Sequence, residues 1–466
     1  MSKPVTIGLL PLYIELYDRV MPQMRPVFAP FLADIEGSFR RNSIEVRRES
    51  VCCTKTEVAV AVDRLENAQV DLLVVMHLAY SPSLESVDVL AKTSLPLLLL
   101  DTTMDESFGA ATHPDRILYN HGIHGLQDLA SVLLRRGRAF NVVAGHWKTS
   151  QVIDRAASHA RSAAAANALR HMRVLRVGET FKGMGDFHVE AAVLRDKLGI
   201  DVIQSDTKPI TKAAGDISDD AITCELALDR QKYKIEASEE VHRRSVRADL
   251  ALRKVVQDAG CRACSFNFLA FDKKDGPLCT PPFLGASKLM AEGFGYAGEG
   301  DVLTASLVGA LNRSYLVNFT EMFCPDWNGN SVFLSHMGEF NPNCADGDVH
   351  LVEKDFPFTG ALNPAILVGA MKRGPAILVN LAPGPNDSFR LLAAPVEILS
   401  DTTCTEMKPI VRGWFRAESD VATFLEWYSQ NGGTHHCALV HDAPLESIVH
   451  FATYCGIPCV VPPKAN

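Results

Sequence analysis

Basic residues are too few in this chain to build a surface for nucleic acid or for an anionic membrane. Its 46 lysines and arginines are outnumbered by 55 aspartates and glutamates, and the formal net charge at pH 7 is −9. No stripe of lysine and arginine, the usual sign of a polyanion partner, appears along the sequence. We therefore expect no nucleic-acid partner and no membrane partner.

Long apolar runs are also missing. The run "LPLLLL" (95–100) is far shorter than the ~20 residues that a membrane-spanning helix needs. The first residues, "MSKPVTIGLLPLYIELYDRV", lack the charged start, the long apolar stretch and the small-residue cleavage site of a signal peptide. These absences predict a cytoplasmic protein whose twelve cysteines stay reduced.

Two common cofactor motifs are absent as well. No G-x-G-x-x-G follows the first apolar run, which argues against a dinucleotide site. Cys261 and Cys264 form a single C-x-x-C without a second pair at zinc-ribbon spacing, which argues against a structural zinc ion.

Short apolar runs separated by amphipathic stretches dominate the first 145 residues. Runs at 5–10, 71–76, 95–100 and 140–145 predict strands that are buried on both faces, and stretches such as "TEVAVAVDRLENA" predict the helices between them. This alternation predicts a doubly wound parallel sheet, in which ligands bind beyond the carboxyl ends of the strands.

A second α/β run follows, and then the pattern changes. The segment "RVLRVG" predicts a strand, and "SEEVHRRSVRADLALRKVVQDAG" predicts a long helix that ends at Gly260. After residue 316, β-rich runs such as "PAILVNLAP" and "FRLLAAPVEIL" predict a mainly antiparallel, barrel-like module. We therefore predict an α/β protein of three domains: a flavodoxin-like domain at 1–170, a central α/β domain at 171–316 and a β-rich domain at 317–466.

Two carboxylates in the second half occur where packing alone does not require them. Glu299 lies between two glycines, just before a helix that Asp301 or Thr304 begins, and Glu321 ends an apolar, strand-like run. Glycines let the backbone turn sharply and approach a ligand closely. The alternative for Glu299 is a loop acid that caps the helix.

Three histidines lie at similar positions. His336 follows the apolar run "VFLS", and "NGGTHHCALVHD" puts His435 and His436 at the start of another. Adjacent residues on a strand face opposite ways, so we expect at most one of His435 and His436 to serve a given site. The alternatives are a hydrogen-bonded core histidine at 336, and one exposed and one hydrogen-bonded histidine at 435 and 436.

Taken together, two carboxylates and one or two imidazoles suit a divalent cation. Carboxylates neutralise its charge and neutral imidazoles complete the set of ligands. Oxygen-rich mixed sites of this kind favour Mn²⁺ or Mg²⁺, whereas thiolates would have indicated zinc.

These motifs resemble those of the L-arabinose isomerase family, in the L-arabinose/L-fucose isomerase superfamily. "LMAEGFGYAGEGDVLTASL" is similar to the family's G-E-G-D-x-x-T-A segment, "FTEMF" to F-M-E-D-Y, "LSHMGE" to G-S-H-M-L-E and "GGTHH" to G-G-A-H-H. "VVAGHW" and "VVMHLAYSP" have counterparts in the family's first domain. The order and spacing of the motifs agree through nearly the whole chain.

The resemblance implies a role for each of these residues. Glu299 and Glu321 would be metal ligands that also act as the acid/base pair. His336 and His436 would complete the coordination, with His435 as a neighbour that supports His436 and contacts the sugar. The implied cofactor is Mn²⁺, with Co²⁺ or Mg²⁺ also possible.

The chain departs from the family pattern at several positions expected to face the substrate. Leu10 and Pro11 stand in "LLPLY" where the family has Gln and His in S-Q-H-L-Y. Thr103 replaces a second Gln and Phe181 a Met, whereas Phe268 keeps a pocket Phe. The resemblance therefore implies a pentose, a hexose or a related deoxy or branched sugar as substrate.

The implied activity is aldose–ketose isomerisation of an open-chain sugar through a cis-enediol. Two alternatives remain open: a sugar-binding or regulatory homologue that has lost turnover, and a metal-dependent hydrolase. The resemblance also implies a trimer or hexamer whose sites lie at subunit interfaces, and His77 and His124 are candidates for a role across that interface.

Overall fold

The computed structural model describes residues 3–463 and contains two compact units, Lys3–Ala164 and a second that begins at Ala165. The strands of the first unit are β1 (Thr6–Leu12), β2 (Glu45–Arg48), β3 (Leu72–His77), β4 (Leu97–Asp101) and β5 (Asn141–Ala144). They form one sheet in the order β2-β1-β3-β4-β5, and every neighbouring pair is parallel. The predicted doubly wound parallel sheet is therefore confirmed for this unit.

Helices surround this sheet, which is why its central strands read as continuous apolar runs. They are α1 (Glu15–Val20), α2 (Phe28–Arg41), α3 (Lys55–Asn67), α4 (Val87–Lys92), α5 (Gly122–Arg135) and α6 (Val152–Arg170), the last of which continues past residue 164. Every residue of β1 and β3 is buried. Thr54 and Glu57 begin α3 with a capping box, in which each side chain bonds the other's backbone N–H.

The second unit opens with another parallel sheet. Its chain runs through β6 (Arg173–Val177), α7 (Ala191–Leu198), β7 (Asp201–Ser205), α8 (Lys208–Asp216), α9 (Asp219–Lys232), β8 (Lys234–Ile235), α10 (Glu239–Asp258), β9 (Ala263–Phe266), α11 (Phe283–Ala291), β10 (Gly295–Gly298) and α12 (Val302–Leu311). The strand order is β10-β9-β6-β7. All ten residues of α12 are buried, as expected for a helix that is apolar on every side.

The remaining chain is built mainly from antiparallel strands. It runs through β11 (Leu316–Asp326), β12 (Ser331–Ser335), β13 (His350–Glu353), β14 (Ala365–Val368), β15 (Gly374–Pro383), β16 (Phe389–Ile398), β17 (Gly413–Ala417), α13 (Val421–Gln430), β18 (His436–His441), α14 (Leu445–Cys455) and β19 (Cys459–Val460). Six strands pair in a closed antiparallel ring, β15-β18-β11-β12-β17-β16, because β16 also pairs with β15. The predicted barrel-like module is confirmed.

Short 3₁₀ helices occur between these elements. They are Arg25–Val27, Ser83–Glu85, Pro114–Tyr119, Phe268–Ala270, Pro342–Cys344, Pro385–Asp387 and Thr405–Met407. Within residues 3–463, no helix has both the length and the apolar character needed to span a lipid bilayer.

Two details differ from the sequence-based expectation. Strands β13 and β14 lie outside the ring and form a separate sheet with β8, because β13 pairs with β8 on its other side. Strand β11 does not end at Glu321 but continues to Asp326, because its pairing with β12 extends that far. Glu321 instead marks the point where β11 changes from buried to more exposed residues.

Candidate metal and active site

Glu299 lies in a tight turn between β10 and α12. Its φ is +63°, a left-handed conformation that costs a non-glycine residue about 1–2 kcal/mol. Gly298 and Gly300 make the turn possible. A Cβ on Gly298 would lie 2.7 Å from His336 Cε1, and one on Gly300 would lie 2.8 Å from Thr180 Cα. The backbone strain falls on Glu299, the residue predicted to bind a metal ion, and the close packing falls on the two glycines that flank it.

Asp301 connects this turn to the histidine on β18. Its Oδ1 accepts a hydrogen bond from the backbone N–H of Thr304 (2.8 Å), so Asp301 is the N-cap of α12, one of the two residues predicted to begin this helix. Its Oδ2 accepts from Nδ1 of His436 (3.0 Å), and both side chains are fully buried. One carboxylate therefore both begins the helix and orients the His436 ring.

Strand register brings the other predicted residues together. Glu321 on β11 lies opposite His436 on β18 and opposite Ser335 on β12, and His336 follows Ser335 directly. Residues opposite one another in antiparallel strands project from the same face. One ligand atom from each of Glu321, His336 and His436 lies within 4.8 Å of the other two.

His435 approaches the same place from just outside β18. Its Nε2 is 3.6 Å from Glu299 Oε2, and Nε2 of His436 is 3.7 Å from the same oxygen. The expectation that only one of the two histidines serves a given site is therefore wrong. Strand alternation does not apply, because β18 begins at His436 and His435 precedes it.

A loop between β6 and α7 supplies a partner for His435. Its Nδ1 and its backbone N–H both donate to Asp186 Oδ2, at 2.7 and 3.0 Å. Burial lowers the pKa of His435, but the hydrogen bonds with Asp186 and Glu299 outweigh this effect and raise it. His435 is consequently an imidazolium at neutral pH, held between two carboxylates.

Aromatic rings enclose the histidines. Phe187, from the same loop, stacks on His436 with centroids 5.2 Å apart and ring planes 9° from parallel. Phe319 of β11 packs edge-on against His336 (4.6 Å) and His436 (5.0 Å). These rings exclude water from one side of the cluster, which strengthens electrostatic interactions within it.

His336 is held by a buried carboxylate three residues further along the chain. Its Nδ1 donates to Glu339 Oε2 (2.7 Å), and the other Glu339 oxygen accepts from the hydroxyl of Tyr296 (2.6 Å). Burial lowers the pKa of His336, but the charge and the hydrogen bond of Glu339 raise this pKa by a larger amount, so the net shift is upward. Burial, together with Glu339, raises the pKa of Tyr296 well above its ordinary value.

The donor set of this cluster fits a divalent cation. His436 Nδ1 is occupied by Asp301, whereas Nε2 is buried without a hydrogen-bond partner among the described residues. A buried nitrogen lone pair without a partner is uncommon in folded proteins and is available to a metal ion. Glu299 and Glu321 supply negatively charged oxygens around it, and no thiol belongs to the cluster found among the described residues.

The residues predicted to bind substrate fall in different places. Phe181 and Phe268 lie in the second unit with ring centroids 5.7 Å apart, and the backbone N–H of Phe181 donates to the Glu299 carbonyl (2.9 Å). Thr103 and Leu10 belong to the first unit. Thr103 follows β4 and its hydroxyl donates to the backbone carbonyl of Asp105 (2.7 Å).

Leu10, which we expected to face a sugar, lies instead in the hydrophobic core of the first unit. It is 0% exposed and belongs to a cluster of buried residues that includes Val75 on the neighbouring strand β3 and Leu99 on β4. Helices cover both faces of this parallel sheet, so side chains on either face of β1 are buried. In this position Leu10 is not accessible to a ligand.

Four residues of the site were missed by the sequence analysis or were given no role in ligand binding. Glu339 and Asp301 were within the quoted motifs, but no pattern showed that they orient His336 and His436. Asp186 and Phe187 lie in a polar loop, and no sequence signal points to them.

Known proteins match most of this chain. Models of the L-arabinose isomerase N-terminal, central and C-terminal domains match residues 33–171, 172–314 and 316–458. An L-arabinose isomerase from Enterobacter sp. (strain 638) is 26% identical over 82% of this chain and 78% of its own length. One from a Nocardioides species is 27% identical over 84% of this chain and 78% of its own length.

A solved carbohydrate transporter from Acidothermus cellulolyticus 11B in complex with myo-inositol aligns with 67% of this chain and 86% of its own, at 12% identity and a TM-score of 0.19. That similarity is too low to support a conclusion. The three domain models, by contrast, follow one another along nearly the whole sequence. The chain therefore belongs to the L-arabinose isomerase family, a family of aldose–ketose isomerases.

Proposed function

We propose that this chain is a divalent-metal-dependent isomerase that interconverts the aldose and ketose forms of an open-chain monosaccharide. Two groups of possible ligands that share His436 carry this proposal: Glu321 with His336, and Glu299 with His435, while Nε2 of His436 is buried without a hydrogen-bond partner among the described residues. Because the relatives named above are L-arabinose isomerases, L-arabinose is the first substrate to test. Other pentoses, hexoses, and deoxy or branched sugars follow.

In this proposal Glu299, Glu321, His336 and His436 hold the cation, which is Mn²⁺, with Co²⁺ or Mg²⁺ as alternatives. Two carboxylates offset its charge, and two imidazoles complete a set of oxygen and nitrogen donors that suits these ions. When bound, such a cation polarises the carbonyl and hydroxyl oxygens of a sugar.

The proton transfers are assigned to Glu299 and Glu321. One takes the proton from C2 of the sugar, and the other delivers that proton to C1 and carries the hydroxyl proton from O2 to O1, by way of a cis-enediol, so both carboxylates end as they began. Burial raises the pKa of Glu299, but interactions with the histidines around it, first of them the hydrogen bond with His435, lower this pKa by a larger amount. Glu299 is therefore ionised at neutral pH, as a base must be.

Phe181, Phe268 and His435 are the proposed sugar-facing residues of the second unit. The Phe181 backbone is hydrogen-bonded to Glu299, and His435 Nε2 is 3.6 Å from the Glu299 carboxylate, which supports placing the sugar against all three. Apolar rings pack against the C–H groups of a sugar, while the imidazolium donates to a hydroxyl. Thr103 remains a proposed sugar contact.

We further propose a trimer or hexamer in which the first unit of a neighbouring copy helps to close the site. Large apolar side chains on the surface of the first unit support an interface, such as Val20 (62% exposed) and Phe108 (52% exposed). His124 is exposed and suits this role, whereas His77 is buried and does not. A monomeric mass by light scattering, together with full activity, would contradict a shared site.

The activity is tested with protein that elemental analysis shows to be metal-free. It is reloaded with Mn²⁺ and incubated with the sugar panel, and ketose is detected by NMR. Glu321→Gln should form ketose at least about 10²-fold more slowly, whereas Glu426→Gln, the same change on the exposed side of α13, should remain fully active. Sugar binding without ketose formation would favour the sugar-binding or regulatory alternative, and full activity without metal would exclude the metal centre.

A further inference from the structure

The buried hydroxyl of Tyr296 is connected to the proposed metal centre through Glu339 and His336. Tyr296 is 0% exposed, and its ring packs against Phe266 (5.2 Å) and edge-on against Phe319 (5.6 Å). Aromatic packing accounts for the ring but not for the hydroxyl. The hydroxyl donates a hydrogen bond to Glu339 Oε1 at 2.6 Å.

That bond supplies a hydrogen-bond donor to the carboxylate of Glu339, which would otherwise cost free energy to bury. Glu339 is 1% exposed, so neither oxygen can rely on solvent. Oε2 accepts from His336 Nδ1 at 2.7 Å and Oε1 accepts from Tyr296. A buried polar oxygen without a hydrogen-bond donor is costly, so the two donors together hold this carboxylate in place.

The hydrogen bonds of Glu339 restrain the ring of His336. Oε2 holds the ring at Nδ1, which leaves Nε2 on the other side of the ring. Oε1 is held in turn by the Tyr296 hydroxyl, so the carboxylate is restrained at both of its oxygens.

We propose that Tyr296 is a positioning residue, which acts through Glu339 to fix the orientation of the His336 ring for metal binding. This inference rests on the metal centre of the proposed function. In this proposal β10 and the turn that follows it contribute to three metal ligands. Glu299 is itself a ligand, Asp301 is hydrogen-bonded to the ligand His436, and Tyr296 contacts Glu339, which is hydrogen-bonded to the ligand His336.

Mn²⁺ affinity tests this inference without an activity assay. Isothermal titration is carried out on metal-free full-length protein carrying Tyr296→Phe, Glu339→Gln or both. Loss of a partner that orients a metal ligand typically weakens metal binding about 10- to 100-fold, and we expect Tyr296→Phe to fall in this range. Because the hydroxyl acts through the carboxylate, the double variant should bind no more weakly than Glu339→Gln alone.

Tyr80→Phe is the matched control, since it removes a tyrosine–carboxylate hydrogen bond (to Asp128, 3.4 Å) in the first unit. It should leave the Mn²⁺ affinity unchanged. Thermal unfolding in EDTA separates positioning from folding: Tyr296→Phe should unfold in one cooperative transition, at a Tm below that of Tyr80→Phe because a buried carboxylate loses a donor. If Tyr296→Phe does not fold, the inference still requires Glu339→Gln to weaken Mn²⁺ binding.

Two results would overturn the role of Tyr296 and leave the metal centre intact. One is a wild-type Mn²⁺ affinity in Tyr296→Phe. The other is a double variant whose loss of affinity equals the product of the losses in the two single variants. Failure of the unmodified protein to bind Mn²⁺ would overturn both.

Discussion

Replacing Gly298 by alanine should disturb the proposed metal centre through a single methyl group. Gly298 is the last residue of β10, and its added Cβ would lie 2.7 Å from Cε1 and 3.1 Å from Nε2 of His336. Ordinary van der Waals contact begins at 3.4 Å, so the ring would have to move by about 0.7 Å. The ring is held by its bond to Glu339 (2.7 Å) and by Phe319 (4.6 Å).

This displacement is large on the scale of metal coordination. Ligand distances in metal sites vary by only about 0.2 Å, so a shift several times larger removes His336 from its position. We expect Mn²⁺ affinity to fall about 10- to 100-fold, or about 1.4–2.7 kcal/mol. Without metal, overpacking a buried site should cost about 1–3 kcal/mol of unfolding free energy.

Isothermal titration with Mn²⁺, and urea unfolding in EDTA and in Mn²⁺, measure the two effects separately. The stabilisation by Mn²⁺ should shrink by the same free energy as the loss of affinity. Gly215→Ala is the matched control: it lies in α8, where its Cβ meets only Pro277 Cγ at 3.9 Å. Alanine should stabilise that helix by about 0.5–1 kcal/mol. Wild-type Mn²⁺ affinity in Gly298→Ala would refute the position assigned to His336.

Three further predictions concern single side chains. Glu321→Gln should keep the fold by circular dichroism and lower kcat by at least about 10²-fold, because a proton-transfer group is lost; near-normal turnover would contradict its role. Glu299→Gly should be more stable than Glu299→Ala by about 1 kcal/mol in urea unfolding with EDTA, since both remove the carboxylate but only glycine relieves the φ of +63°; equal stability would show that the turn is unstrained. Burial raises the pKa of Asp229, but the hydrogen bond with His242 and the charge of Lys288 lower this pKa by a larger amount. The pKa of Asp229 in the folded protein therefore lies below its ordinary value of 3.8. Its contribution to stability should be fully present above that value and lost as the pH falls through the folded pKa, and Asp229→Asn should flatten this acid limb of a pH–stability curve.

Secondary structure and fold class could be predicted because they depend on neighbouring residues. β1 and β3 read as continuous apolar runs since helices cover both faces of their sheet, and all their residues are buried. The predicted end of α10 at Gly260 is two residues beyond the observed last residue, Asp258, because the chain turns at Gly260 with a φ of +63°. Sheet membership was less predictable: β13 joined β8 rather than the ring, which depends on contacts more than 100 residues apart.

The candidate ligands could be found for a related reason. A charged or polar side chain next to an apolar run is not explained by packing, and Glu299, Glu321, His336 and His436 all stand at such positions. Family motifs then suggested roles for them. Leu10 was assigned wrongly by the same reasoning, because a family motif names a position but does not show which way its side chain packs.

The sequence by itself therefore determined the elements, the family and the types of residue at the site. Only the tertiary structure decided which side chains meet: that Glu321 lies opposite His436, that Asp186 bonds His435 and that Tyr296 reaches His336 through Glu339. The physical reason is that hydrophobic periodicity is a local property of the chain. The register between distant strands and the path of a polar loop are set by packing over the whole unit, and residues as far apart as Asp186 and His435 carry no shared local signal.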